Sequence, residues 1–241
     1  MTAPGAPPPP STLNTPITPP PATLDHFRSH HPWATALLSS PDYFPIQTWS
    51  RIRKPDTGED GYFSTTLATP TTIPHVVTLR RRNIDPVPKQ PPSSTSLTSS
   101  SSKPTTPDAP SYPPDLLMLL SLSAPGISGH PSTAHGGAVA TILDEALSLA
   151  VALHVPSYGV TEDEADSRGK IYTLQLDVRY RRPVVVPGLL VVRAWCVARD
   201  GRKYWMRGQV VQEEEEEGVK GKRKVVKAEA LGFWVETAGK L

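Results

Sequence analysis

His135, Gly136 and Gly137 stand nine positions ahead of a carboxylate pair, Asp144 and Glu145, and the two groups are joined by a run of apolar residues. A carboxylate enclosed by apolar side chains must either accept hydrogen bonds or change its affinity for protons. Asp144, with Glu145 set between Leu143 and Ala146, is therefore a candidate for general-base or nucleophilic chemistry. The same pair could instead occupy a narrow solvated strip of a helix, and the pattern alone leaves both readings open. Gly136 and Gly137 carry no side chain, so a ligand can approach their N–H groups closely, and a helix beginning there adds positive partial charge. Backbone donors in that setting can stabilise a developing oxyanion. A tight entry turn is the other reading of the glycine pair. His135, placed before them, suits positioning of the backbone better than proton transfer.

These residues need a helix to hold them. AVATILDEALSLAVALH is rich in Ala, Leu and Ile, and Val139, Ile142, Leu143, Leu147, Leu149 and Ala150 form more than a narrow stripe, which predicts a helix enclosed on most sides. Leu116 to Leu122 ahead of it reads as a buried strand, followed by a polar turn. Strands are expected after it at Ile171 to Tyr180, Leu189 to Arg199, Lys203 to Val211 and Val225 to Glu236. Asp200-Gly201 supplies a tight hairpin turn. Glu213 to Glu217 followed by GVKGKRK reads as a long charged hairpin loop. One long helix with an antiparallel sheet is an α+β arrangement.

Upstream the chain divides by composition. Residues 1–23 are Pro-rich and read as a disordered tail. Residues 24–84 read as an appendage that packs on the main domain, with one short helix after Pro32 and extended segments at Phe44 to Arg53, Gly61 to Thr69 and Ile73 to Arg82. Residues 85–111 read as a disordered Ser/Pro-rich insertion, and residues 112–241 as the main domain.

The chain of 241 residues carries 25 Lys plus Arg against 23 Asp plus Glu, so its formal charge of +2 gives no reason to invoke nucleic acid. No apolar run approaches the ~18 residues needed to span a bilayer. Its single cysteine, Cys196, excludes an internal disulfide framework and reads as a small buried hydrophobe. The histidines show no convincing metal-ligand spacing, so neither metal nor cofactor is expected. The cytoplasm is the favoured compartment, with the mitochondrion as the alternative.

HGGAVATILDE, YTLQLDVRYRRPV, VARDGRKYWMRGQVV and AEALGFW together resemble the hotdog thioesterase superfamily, especially its phenylacetyl-CoA-thioesterase-like and thioesterase superfamily member 4- and 5-like branch. The resemblance covers roughly residues 112–238, with the His-Gly-Gly and its later Asp as the most specific part. It implies a hotdog fold, a curved antiparallel sheet wrapped around the helix from Gly136 to His154, and hydrolysis of an acyl-CoA thioester. It further implies Asp144 as base or nucleophile, the Gly136 and Gly137 amides as oxyanion donors, and Thr173 as the hydroxyl that orients the carboxylate or water. Arg181 and Lys203 match positions where basic groups meet CoA, and Glu145 is taken as a further substrate-binding residue.

The resemblance also implies a homodimer or dimer of dimers. Geometry points the same way: eight residues from Gly136 to Asp144 span about 12 Å of helix at ~1.5 Å each. One carbonyl cannot readily reach both, so Gly137 of one subunit is expected to face Asp144 of another. The alternatives are a hotdog domain that binds acyl-CoA without turnover, a dehydratase or hydratase of the same fold class, and an interaction protein acting through its Pro-rich arm.

Overall fold

The computed structural model describes residues 13, 15–91, 110–155, 170–215 and 221–237. Helices α1 (Pro21–His30) and α2 (Pro32–Leu38) are followed by strands β1 (Tyr43–Ile46), β2 (His75–Arg81), β3 (Leu116–Leu122), β4 (Ser128–His130) and β5 (Thr133–Ala134). Helix α3 (Gly136–Ala152) comes next, then β6 (Ile171–Tyr180), β7 (Gly188–Asp200), β8 (Lys203–Glu215) and β9 (Lys222–Glu236). Seven strands form one antiparallel sheet in the order β1-β2-β3-β7-β8-β9-β6, and β4 and β5 make a separate small ladder.

The sheet is sandwiched. Leu116, Met118 and Leu120 of β3 face α3, in one core with Ile142, Leu143 and Leu147. Leu117 and Leu119, on the other side of the pleat, meet Phe27 of α1 and Trp33 of α2. Because both faces of β3 are covered, its sequence is a continuous apolar run instead of an alternating one. Each Leu so enclosed contributes on the order of 1.5–3 kcal/mol of hydrophobic stabilisation. Where α3 crosses β8, a Cβ on Gly208 would lie 3.0 Å from the Leu143 side chain, so glycine permits the close approach. Gly201 turns the β7–β8 hairpin with φ +57°, the left-handed conformation expected at Asp200-Gly201.

Several local expectations are corrected. The tail is ordered within the described residues from Leu13: that side chain is buried with Phe44, Ile46 and Ala152, and the Ile17 N–H donates to the Pro45 carbonyl. Helix α1 begins inside the tail because Pro21 occupies a first-turn position, where its missing N–H costs nothing. Of the extended segments, Phe44 to Arg53 is strand only to Ile46 and then turns as a 3-10 helix at Trp49–Arg51. Gly61 to Thr69 is no strand; it contains a π-helical turn, Tyr62–Thr66. Its Thr and aromatic content mimics strand propensity, but Arg51 donates to the carbonyls of Phe63, Leu67 and Ile73 and holds the segment coiled.

The charged segment expected as a loop is strand at both ends, within β8 and β9. Glu213, Glu214 and Glu215 pair across the ladder with Lys224, Arg223 and Lys222, so opposite charges face one another on adjacent strands. Most of the Ser/Pro insertion, 92–109, lies outside the described residues. Its start is tied down, since Val87 packs on the core and the Arg199 N–H donates to the Pro88 carbonyl.

Helix α1 presents an unexpected group of imidazoles to the sheet. His26 stacks on His75 at 4.3 Å between ring centroids, with His30 at 5.0 Å and His31 at 5.9 Å. His26 also bonds the Ser121 hydroxyl, and His75 bonds that of Thr23. Burial, then mutual repulsion, lowers the proton affinity of His26; burial lowers that of His31 and His75, with His30 and Lys222 adding to the first and Arg51 to the second. The unfolded chain therefore binds these protons first. Stability is complete above the unfolded imidazole value of about 6.5 and is lost as pH falls below it toward the folded values. Thermal melting should accordingly drop between pH 7.5 and 5.5, and the drop should shrink in the double variant His26→Asn, His75→Asn; an equal drop in both proteins would contradict the assignment.

Candidate active site

The N-terminus of α3 is capped by its own chemistry. His135 is the N-cap, and its Nδ1 accepts the Gly137 N–H at 3.0 Å. The Tyr180 hydroxyl, at the end of β6, donates to the Gly136 carbonyl at 2.8 Å, joining the helix start to the edge strand. His135 thus positions backbone, as its place in the sequence suggested. The Gly137 amide, expected to face a substrate carbonyl, is held by that imidazole in the isolated chain.

Two turns further on, the Thr173 Oγ1 donates to Asp144 Oδ1 at 2.9 Å. This contact depends on a β-bulge: the β6–β9 register shifts between Thr173 and Gln175, so Thr173 meets α3 while Leu176 and Val178 also pack against the core. Ser148, one turn after Asp144, accepts from the Trp234 indole N–H at 3.0 Å and anchors the helix to β9. Burial raises the proton affinity of Asp144, and the Thr173 hydrogen bond opposes that rise. Its neighbour Glu145 is pushed up to about 7 by burial, with the adjacent Ser50 hydroxyl opposing and Asp60 and Asp144 reinforcing. Both carboxylates are half-buried on α3.

Asp144 and Glu145 open into a cleft of about 450 Å³. Ala140 and Thr141 line it from the same helix face, as spacings of three and four residues before Asp144 require. Leu176 lines it from β6, and Asp60, Tyr62 and Phe63 complete it from the appendage. No residue pattern marked the last three, because their contribution depends on how the π-helical turn folds back over α3.

The two basic candidates lie elsewhere. Arg181 Nη2 contacts Glu229 Oε2 at 2.8 Å, and Glu229 is fully buried, so this guanidinium is committed to neutralising an internal carboxylate. Lys203 is exposed beside the β7–β8 turn, outside the cleft lining. Cys196 is buried, its thiol pushed up to about 12 by burial first and by Asp115 second, in keeping with a core residue. Among the described residues, no group of three or more His, Cys, Asp or Glu is placed to hold a metal, and no helix is long and apolar enough to cross a membrane.

Residues 132–219, which include the cap, Asp144 and Thr173, match the family model described as Thioesterase superfamily. The segment carrying Asp144 is thus similar to that superfamily. Its sheet and central helix are the expected α+β hotdog fold. An uncharacterized protein of Schizosaccharomyces pombe is 32% identical over 111 residues, which are 46% of this chain and 54% of that protein. The chain therefore spans about half the length of the curated relative it matches. Among solved structures, the Escherichia coli PaaI protein from the phenylacetic acid degradation operon is 12% identical, with 52% of this chain and 74% of that one covered and a TM-score of 0.39. A Bacillus halodurans protein solved with CoA is 20% identical over 50% of this chain and 66% of that one, with a TM-score of 0.37.

Proposed function

We propose that this domain hydrolyses acyl-CoA thioesters to free acid and CoA. The observation that carries the reading is the Asp144 carboxylate, held by Thr173 inside a partly apolar cleft on the helix that begins at His135-Gly136-Gly137. A desolvated carboxylate with raised proton affinity is a better base than one in water. Asp144 takes a proton from water as the water oxygen attacks the thioester carbon, or attacks that carbon directly, breaking the C–S bond and expelling the CoA thiolate, to give a mixed anhydride that water then opens. In the water route, the tetrahedral oxyanion collapses, the C–S bond breaks, and the departing CoA sulfur takes up a proton. First-turn amides of α3 are the oxyanion donors, with the substrate carbonyl replacing His135 Nδ1 at the Gly137 N–H.

The reading includes a homodimer in which those amides come from the other subunit. What supports it is the helical separation of Gly137 and Asp144, together with β6, which ends the sheet and exposes Leu174 and Tyr180. Mixing Asp144→Ala chains with chains altered at Gly137 should restore part of the activity if each mixed dimer keeps one intact composite site; no restoration in confirmed mixed dimers would remove the second subunit from the site.

The direct test is thiol release from short, medium, long and aromatic acyl-CoAs by the purified protein. Release from at least one class is expected, and none from any class would leave a domain that binds without turnover. Within that assay Thr173 should behave as a positioning residue. Thr173→Val should lower kcat by about tenfold or more with little change in KM, the scale of one hydrogen bond to a charged group. Thr173→Ser should recover most of the loss; failure of Ser to rescue would make the effect one of strand packing.

A further inference from the structure

The cleft beside Asp144 has walls of two origins. Ala140, Thr141 and Leu176 come from α3 and β6, within the residues matched to the superfamily, whereas Asp60, Tyr62 and Phe63 come from the appendage far outside residues 132–219. The appendage wall is a built feature. Arg51 donates to the carbonyls of Phe63 and Ile73 at 3.0 and 2.6 Å, and Lys54 Nζ pairs with Asp60. Phe63, Leu67 and Ile73 all enter the core shared with α3, so the turn is fixed to the helix that carries the carboxylate. Tyr62 stands perpendicular to Phe63 at 6.2 Å and remains 55% exposed, which leaves its ring at the rim of the cleft.

The lining also identifies which end of an acyl-CoA the cleft can take. The Asp144 carboxylate would repel the phosphates of the CoA nucleotide, with Asp60 already paired to Lys54, while Phe63, Ala140 and Leu176 offer apolar surface. We infer that the cleft is the acyl chamber, that Tyr62 on the π-helical turn sets its length limit, and that it accepts neutral acyl groups in preference to those ending in a carboxylate. This rests on the thioesterase reading and deepens it: the residues that select the substrate lie in the appendage, and those that act on it lie in the matched domain.

The test uses the full chain, straight-chain CoA thioesters of four to fourteen acyl carbons in about two-carbon steps, and adipoyl-CoA beside hexanoyl-CoA. Tyr62→Ala should move the maximum of kcat/KM to longer chains, with a gain of about fourfold for each methylene newly admitted. Tyr62→Trp should move it to shorter ones, and hexanoyl-CoA should be turned over faster than adipoyl-CoA by the wild type. Circular dichroism confirms folding of both variants. Thiol release by all three proteins with one unchanged chain-length profile overturns the chamber assignment and leaves the thioesterase reading standing. If the wild type releases no thiol from any member, the thioesterase reading fails, and calorimetric binding of the same panel decides the chamber: a length preference shifted by the variants upholds it, whereas an unshifted preference or no binding overturns it.

Discussion

Asp144→Asn should lower kcat for thiol release by about a thousandfold, the middle of the range that general-base catalysis supplies, while thermal stability and KM stay close to wild type. The substitution keeps the shape and the oxygen that accepts the Thr173 hydroxyl at 2.9 Å, so the local geometry survives and the charge alone is removed. The wild-type protein should show the complementary pH behaviour. Burial raises the proton affinity of Asp144, so the reactive carboxylate form is lost on acidification at a pH above the ordinary aspartate value of about 3.9. The acid limb of kcat/KM should therefore lie above that value in the wild type and disappear from the residual rate of the variant. An Asp144→Asn protein with undiminished kcat would refute the assignment of the base.

The largest effect on stability is expected far from the cleft, at Asp115. Only 2% exposed, it accepts from Arg81 Nη2 at 2.9 Å and from the Cys196 N–H at 2.9 Å, and lies 3.2 Å from His154 Nε2. One carboxylate thus joins the end of β2, the middle of β7 and the residue chain leaving α3. Burial alone would raise its proton affinity, but the hydrogen bonds from His154, Cys196 and Arg81 outweigh burial and lower it. Asp115→Ala leaves a buried guanidinium short of a partner and an N–H without an acceptor, which should cost about 3 kcal/mol and lower Tm by ~6–12 °C. Asp85, on the solvent side of Arg81, offsets part of the loss. Asp115→Asn retains an acceptor for Cys196 and should cost less than the alanine change. The folded-state carboxyl is the lowered one, so its stabilisation is complete above the unfolded aspartate value of about 3.9 and is lost as pH falls through the folded value. A melting temperature unchanged in Asp115→Ala would show that water or relaxed neighbours replace the network.

The central helix, the strands around it and the carboxylate were legible because each rests on a local rule. A 17-residue, largely apolar segment has few alternatives to an enclosed helix, and β6 coincides with a run containing Ile, Val, Thr and Tyr, residues that strands favour. Thr173 was legible through the resemblance and not through spacing, since the bulge that aims it at Asp144 leaves no mark on the order of polar and apolar residues. The partner of Arg181 was not legible: its guanidinium donates to Glu229, 48 positions later in the chain, a contact that only the pairing of β6 with β9 brings about.

What the sequence by itself determined was the chemistry available along α3: glycines where the helix starts, a carboxylate two turns in, and apolar faces that require the helix to be covered. Composition and periodicity suffice for that because burial and capping act within a few residues. Only the tertiary structure decided that His135 occupies the Gly137 amide, that Asp115 ties three elements together, and that Tyr62 and Phe63 close the cleft over Asp144. Those contacts join residues brought close by sheet order, bulges and turns; the free energy of each is realised only after the chain has folded, so no local pattern encodes the partner.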